Sequence, residues 1–95
     1  MKQYCDLHTH SNFSDGTFSP AELVAEAARL GLSAIALTDH NTLAGLPEFL
    51  AAGENSPVRT IPGIEFSTEY QETELHILGL FIQPKDYDQV NTMVT

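Results

Sequence analysis

Ser33-Ala34-Ile35-Ala36-Leu37-Thr38 is a short apolar run with no alternation of wet and dry positions. Such a run is expected of a parallel strand covered on both faces. Ahead of it, Ser19-Pro20-Ala21-Glu22 opens a helix, with Ser as N-cap, Pro at the first helical position and Glu three residues after the cap. Leu23, Ala27 and Leu30 repeat at helical spacing, and Gly31 falls where a left-handed cap would close that helix. Residues 3–8 read as an earlier strand, and 42–54 hold a second helix whose start Gly45 and Pro47 blur. Val58 to Ile61 reads as a third strand. Phe66 to Tyr70 and Glu74 to Ile82 then read as a hairpin around Gln71-Glu72-Thr73, with a last helix beginning at Asp86 and running through Val90, Met93 and Val94. Strand, helix, strand, helix, strand is the rhythm of a parallel α/β architecture. A complete β/α barrel needs roughly 250 residues. A chain of 95 residues is therefore expected to be one partial domain, spanning 1–95.

Composition narrows the classes without choosing one. Hydrophobic residues make up 42%, enough for a core, and the formal net charge is −9. That balance opposes phosphate-rich polymers, whose affinity comes largely from Lys and Arg, so stable nucleic-acid binding by this chain is not expected. No apolar stretch approaches the roughly 20 residues of a membrane span, and the N-terminus lacks a secretory apolar segment. A cytoplasmic location is expected. Cys5 has no partner for an internal disulfide and alternates outward from the neighbouring histidines.

The chemistry gathers where strands are expected to end. Asp6-Leu7-His8-Thr9-His10-Ser11 closes the first strand, with Asp15 soon after; Asp39-His40-Asn41 closes the second; Pro62-Gly63-Ile64-Glu65 closes the third. Residues two apart on a strand point to one side, so His8 and His10 present two imidazoles to one point. Parallel α/β sheets carry their chemistry at the carboxyl ends of their strands. His8, His10, Asp15, His40, Glu65 and His76 give six candidate donors, too many for one open catalytic zinc. They suit a cluster with a bridging carboxylate such as Glu65, and neighbouring ions suit phosphate ester hydrolysis. Plainer roles stay open. His76 alternates with Leu78 and Leu80 and could be a hydrogen-bonded core histidine; Asp15 could merely make the turn with Gly16. Glu65 could be solvated, Asp39 could cap a loop, and His8 and His10 could sit on the surface. Asn12, Ser14 and Thr17 are read as loop residues.

Taken together, Asp6-Leu7-His8-Thr9-His10-Ser11, Leu37-Thr38-Asp39-His40-Asn41, Pro62-Gly63-Ile64-Glu65 and Glu74-Leu75-His76-Ile77-Leu78-Gly79 resemble, in order, the first motifs of the PHP (polymerase and histidinol phosphatase) family. The likeness covers about residues 3 to 82. It implies the N-terminal portion of a distorted seven-stranded (β/α) barrel holding two or three Zn, Mn or Fe ions. It also implies roles: His8 and His10 on a first ion, Glu65 bridging to a second that His76 also binds, and Asp15 with His40 on a third. Asp39 would be a catalytic-site group orienting a ligand or water, with Asp6 a weaker candidate for that role. The family's later motifs, which supply further histidines and an Asp-x-His pair, have no counterpart here.

The expected activity is a metal-dependent phosphoesterase acting on a small phosphorylated metabolite or nucleotide. A polymerase-associated domain with exonuclease or structural duty is the alternative within the family, and a non-catalytic metal-binding module lies outside it. Lys2, Arg29, Arg59 and Lys85 are the only basic residues, and none follows a strand, so phosphate-gripping groups are scarce. An unfinished barrel would expose strand edges and apolar faces, so a dimer or higher homo-oligomer is expected if the chain folds alone.

Overall fold

The protein, seen in a computed structural model that describes residues 4–70 and 73–94, is an α/β fold built on one four-stranded sheet. Along the chain come β1 (Cys5–Thr9), α1 (Pro20–Arg29), β2 (Ala34–Leu37), α2 (Leu46–Gly53), β3 (Arg59–Tyr70), β4 (Thr73–Leu80), a single 3-10 turn (Pro84–Asp86) and α3 (Tyr87–Val94). The strands lie in sequence order. β1, β2 and β3 are parallel, and β4 returns antiparallel to β3.

Local chemistry accounts for α1. The Ser19 hydroxyl accepts from the Glu22 N–H while the Glu22 carboxylate accepts from the Ser19 N–H, closing a capping box with Pro20 at the first turn. Gly31, at φ +77°, ends the helix in the left-handed region where a side chain would be strained. The apolar face departs from the expected spacing. Val24 and Ala27 are buried and Leu23 packs beside them, whereas Leu30 caps the helix and is exposed. The cap residue has already turned away from the face that meets the sheet.

β2 is buried from Ile35 to Leu37, as an apolar run without alternation requires. Val24 and Ala27 from α1, and Leu46 and Phe49 from α2, join Ile35, Leu37 and Ile64 in one core cluster. Phe49 is fully buried, a contribution of about 1.5–3 kcal/mol relative to an exposed side chain. α2 starts at Leu46 from Gly45, which offers no side-chain cap.

The third strand corrects the sequence reading. Residues 59–70 form one continuous strand, not a short strand ending near Ile61 followed by a separate hairpin arm. Pro62 would be expected to break it, but the Pro62 carbonyl still accepts from the Ile82 N–H at 3.1 Å, while the ladder with β2 ends in the Leu37–Pro62 pair. From Gly63 onward the strand pairs with β4 instead, and a Cβ at Gly63 would sit 2.8 Å from the Gly79 carbonyl oxygen. The strand therefore changes partners at Pro62-Gly63 without ending, and Glu65 lies inside it. Tyr70 pairs with Thr73 at the hairpin end; Gln71 and Glu72 of the expected turn lie outside the described residues, as do Lys2 and Gln3. No helix among the described residues is long and apolar enough to cross a membrane.

Candidate metal centre

The carboxyl ends of β1 and β2 carry their chemistry onto β3 through backbone pairing. Thr38 N–H donates to the Thr9 carbonyl at 2.8 Å, and the Thr9 hydroxyl donates to the Ala36 carbonyl at 2.6 Å. Beyond the end of β2, the Glu65 N–H donates to the Asp39 carbonyl and the Asn41 N–H to the Glu65 carbonyl. His40 is thereby held beside Glu65, in a short parallel bridge.

Glu65 is the hub. Its side chain is only 4% exposed, yet four imidazoles surround it. Oε1 lies 2.5 Å from His8 Nε2 and 3.2 Å from His10 Nε2; Oε2 lies 2.6 Å from His76 Nδ1 and 3.6 Å from His40 Nδ1. Burial pushes this carboxyl upward. The His8 hydrogen bond, the His40 charge, the His76 hydrogen bond and the His8 charge together outweigh it, and the group is held below the usual carboxylate range. His10 and His40 stack with ring centroids 4.3 Å apart and planes 5° from parallel. On their far side stands Asp15, with Oδ2 3.2 Å from His40 Nε2 and Oδ1 3.8 Å from His10 Nδ1.

Among the described residues three overlapping triads result: His8, His10 and Glu65; His10, Asp15 and His40; His40, Glu65 and His76. All six donors expected from the sequence enter at least one of them. The residues fit a cation on two grounds. Zinc at 2.0–2.1 Å from each tetrahedral donor puts those donors about 3.4 Å apart, and the triads are spaced on that scale. Moreover, among the described residues His10 Nδ1 is buried without a hydrogen-bond partner and faces Asp15 across a gap too wide for a hydrogen bond.

Asp39 and Asp6 point elsewhere. Asp39 is 1% exposed and lies outside the triads; Oδ1 accepts from the Ser11 N–H and the Ser14 hydroxyl, and Oδ2 from the Ser11 hydroxyl. It clamps the loop that leads to Asp15. Asp6 Oδ1 accepts from the backbone N–H of His8, not from its ring. Two serines that the sequence reading passed over, Ser11 and Ser67, are in the network. Ser67 stands two residues beyond Glu65 on β3, so strand periodicity alone would have put it on the same face.

The model of one family, the PHP domain, matches residues 6–95. The chain belongs to the PHP domain family. Among curated proteins this PHP chain is 44% identical over 80 residues to a 5'-3' exoribonuclease of Haemophilus influenzae, covering 84% of the chain and 29% of that protein. It is 38% identical over 81 residues to a 3',5'-nucleoside bisphosphate phosphatase of Chromobacterium violaceum, covering 85% of the chain and 28% of that protein. It is also 53% identical over 66 residues to an error-prone DNA polymerase of Mycobacterium tuberculosis, covering 67% of the chain and 6% of that protein. A solved protein from Bifidobacterium adolescentis, assigned as a metal-dependent phosphoesterase, superposes with a TM-score of 0.87 at 34% identity over 97% of this chain and 32% of its own. The PHP chain thus spans less than a third of the length of these relatives.

Proposed function

We propose that this PHP chain supplies the first metal-holding part of a phosphoesterase that hydrolyses a small phosphorylated metabolite or nucleotide. The observation that carries the reading is the overlap of the donor groups: Glu65, His10 and His40 each belong to two triads. Adjacent divalent ions, two or three of Zn, Mn or Fe, would supply hydroxide at neutral pH and bind the phosphate oxygens. His8 and His10 with Glu65 would hold one ion, Glu65 with His76 a second, and Asp15 with His40 a third. The protein's own part is to fix these groups. The buried Glu65 carboxylate stays ionised and turns one oxygen to each neighbouring triad. Asp39 acts through the Ser11–Ser14 loop, which sets where Asp15 stands. The sheet is read as the opening segment of a distorted seven-stranded barrel, its triads completed by donors from the remaining strands.

The nucleotide side of the proposal draws on the exoribonuclease and bisphosphate phosphatase likenesses. The polymerase likeness supports a second reading, a polymerase-associated domain with exonuclease or structural duty. Assay of the full-length protein with manganese or zinc on a panel of phosphomonoesters, nucleoside bisphosphates and short oligonucleotides separates them. Turnover of small monoesters supports the first reading. Absence of any turnover, with metal demonstrably bound, would remove it.

A further inference from the structure

One hydroxyl in the centre is neither a ligand in the proposed scheme nor a loop clamp. Ser67 Oγ lies 3.0 Å from His40 Nδ1 and 3.2 Å from His76 Nδ1. Ser67 stands opposite His76 in the β3–β4 register, and its N–H donates to Asn41 Oδ1 at 2.9 Å. Asn41 makes that contact from a left-handed backbone, φ 52°, which asparagine tolerates better than most residues. The Ser67 backbone is thus held by its place in the β3–β4 ladder and by the segment that follows β2.

Resting on the metal reading above, we propose that Ser67 is the positioning residue for His40: its hydroxyl holds Nδ1 and so turns Nε2 toward Asp15. Nδ1 faces Ser67 at 3.0 Å, with Glu65 Oε2 farther off at 3.6 Å, and Nε2 faces Asp15 Oδ2 at 3.2 Å. A hydroxyl can donate or accept. With the imidazole proton on Nε2, Ser67 donates to the Nδ1 lone pair; with a cation on Nε2, the proton moves to Nδ1 and Ser67 turns to accept it. The serine stays a partner in both states, which a fixed donor or a fixed acceptor could not do. Metal-bound histidines commonly need such a partner on the other nitrogen to set tautomer and ring angle. Because the same oxygen also reaches His76, it links the His10–Asp15–His40 triad to the His40–Glu65–His76 triad.

The test compares wild type, Ser67→Ala and Ser67→Thr in two measurements. In metal-free protein, well above the ordinary imidazole pKa of about 6.5, long-range nitrogen–proton spectra read the His40 ring nitrogens. In equilibrium dialysis, zinc isotherms read each site. The alanine variant is expected to shift the His40 Nδ1 resonance and to weaken one site by about 10–100-fold, leaving the site of His8, His10 and Glu65 in place. Threonine, which keeps the hydroxyl, is expected to restore both signals. Folded Ser67→Ala with the wild-type His40 spectrum and isotherm would overturn the proposal, as would a folded threonine variant behaving like alanine. The wild-type spectrum needs no substitution: a His40 Nδ1 without a hydrogen-bond signature would refute it even if alanine prevented folding. Wild-type protein that takes up no zinc would overturn the metal reading instead, while the ring spectra still decide whether Ser67 holds His40.

Discussion

Both carboxylate oxygens of Asp39 are bound by Ser11, whose N–H donates to Oδ1 at 2.6 Å and whose hydroxyl donates to Oδ2 at 2.7 Å. Ser11 and Asp39 are each essentially inaccessible to water. Alanine at position 39 would leave the buried Ser11 N–H and hydroxyl without their acceptors, and each buried unsatisfied group costs about 1–3 kcal/mol. Asp39→Ala is therefore expected to lower unfolding stability by about 3 kcal/mol or more. Asparagine, which keeps one acceptor oxygen, is expected to lose less. Urea denaturation of metal-free protein measures both, and an alanine variant within about 0.5 kcal/mol of wild type would show that the clamp carries no stability.

Glu65 links pH to folding. Its folded pKa lies below its ordinary value of 4.5, so the fold favours the ionised carboxylate. The stability this contributes is present in full above that value and is lost as pH falls through the lower, folded-state pKa. The urea midpoint of wild type should exceed that of Glu65→Gln at pH 7, and the gap should close below about pH 4.5. A gap that stays constant down to pH 3 would contradict the depressed pKa.

Much of the fold could be read from the chain because local rules and tertiary packing agreed. The capping box of Ser19 and Glu22, the left-handed Gly31 and the unalternating Ile35–Leu37 run each specify one structure, and each is found. The break assigned near Ile61 failed because Pro62 and Gly63 ordinarily punctuate strands. Here Pro62 pairs through its carbonyl, and Gly63 admits a close pass of Gly79. The candidate donors stood out because histidine is rare, four in 95 residues, and His8, His10 and His40 lie at or just beyond the ends of β1 and β2. Ser67 and Ser11 did not, since serine is common and its role depends on which backbone lies opposite. Asp39 reads from the sequence as a group orienting a ligand or water, and its hydrogen bonds to Ser11 depend on a loop whose path the sequence does not specify.

Gly16 makes the loop that presents Asp15. A Cβ there would stand 2.1 Å from the His10 carbonyl oxygen, and its N–H donates to the Ser11 carbonyl at 2.9 Å. The obstacle is backbone, so no rotamer change relieves it. Gly16→Ala is expected to displace the loop and weaken zinc binding at the Asp15–His40 site by at least about tenfold, the scale of other changes in groups that orient metal ligands. Binding at the site of His8, His10 and Glu65 should fall less. Dialysis showing full occupancy of every site in the alanine variant would mean that Asp15 does not depend on this turn.

His8 and His10 lie two residues apart on one strand face with Nε2 atoms 3.2 Å from each other, yet they are not equivalent. His8 belongs to one triad, whereas His10 belongs to two, with Nε2 toward Glu65 and Nδ1 toward Asp15. If the triads hold ions, His8→Ala should lower zinc content at the site it shares with Glu65, and His10→Ala should lower it there and, through the ring stacked on His40, at the Asp15–His40 site as well. Removing His10 also strips the stacking face from His40, whose ring lies 4.3 Å away. The single variants, measured for bound metal after dialysis against dilute zinc, should rank wild type above His8→Ala above His10→Ala, with the double variant no better than His10→Ala. Equal losses in the two single variants would contradict the shared role of His10, and unchanged metal in the double variant would remove the β1 donors from the centre altogether.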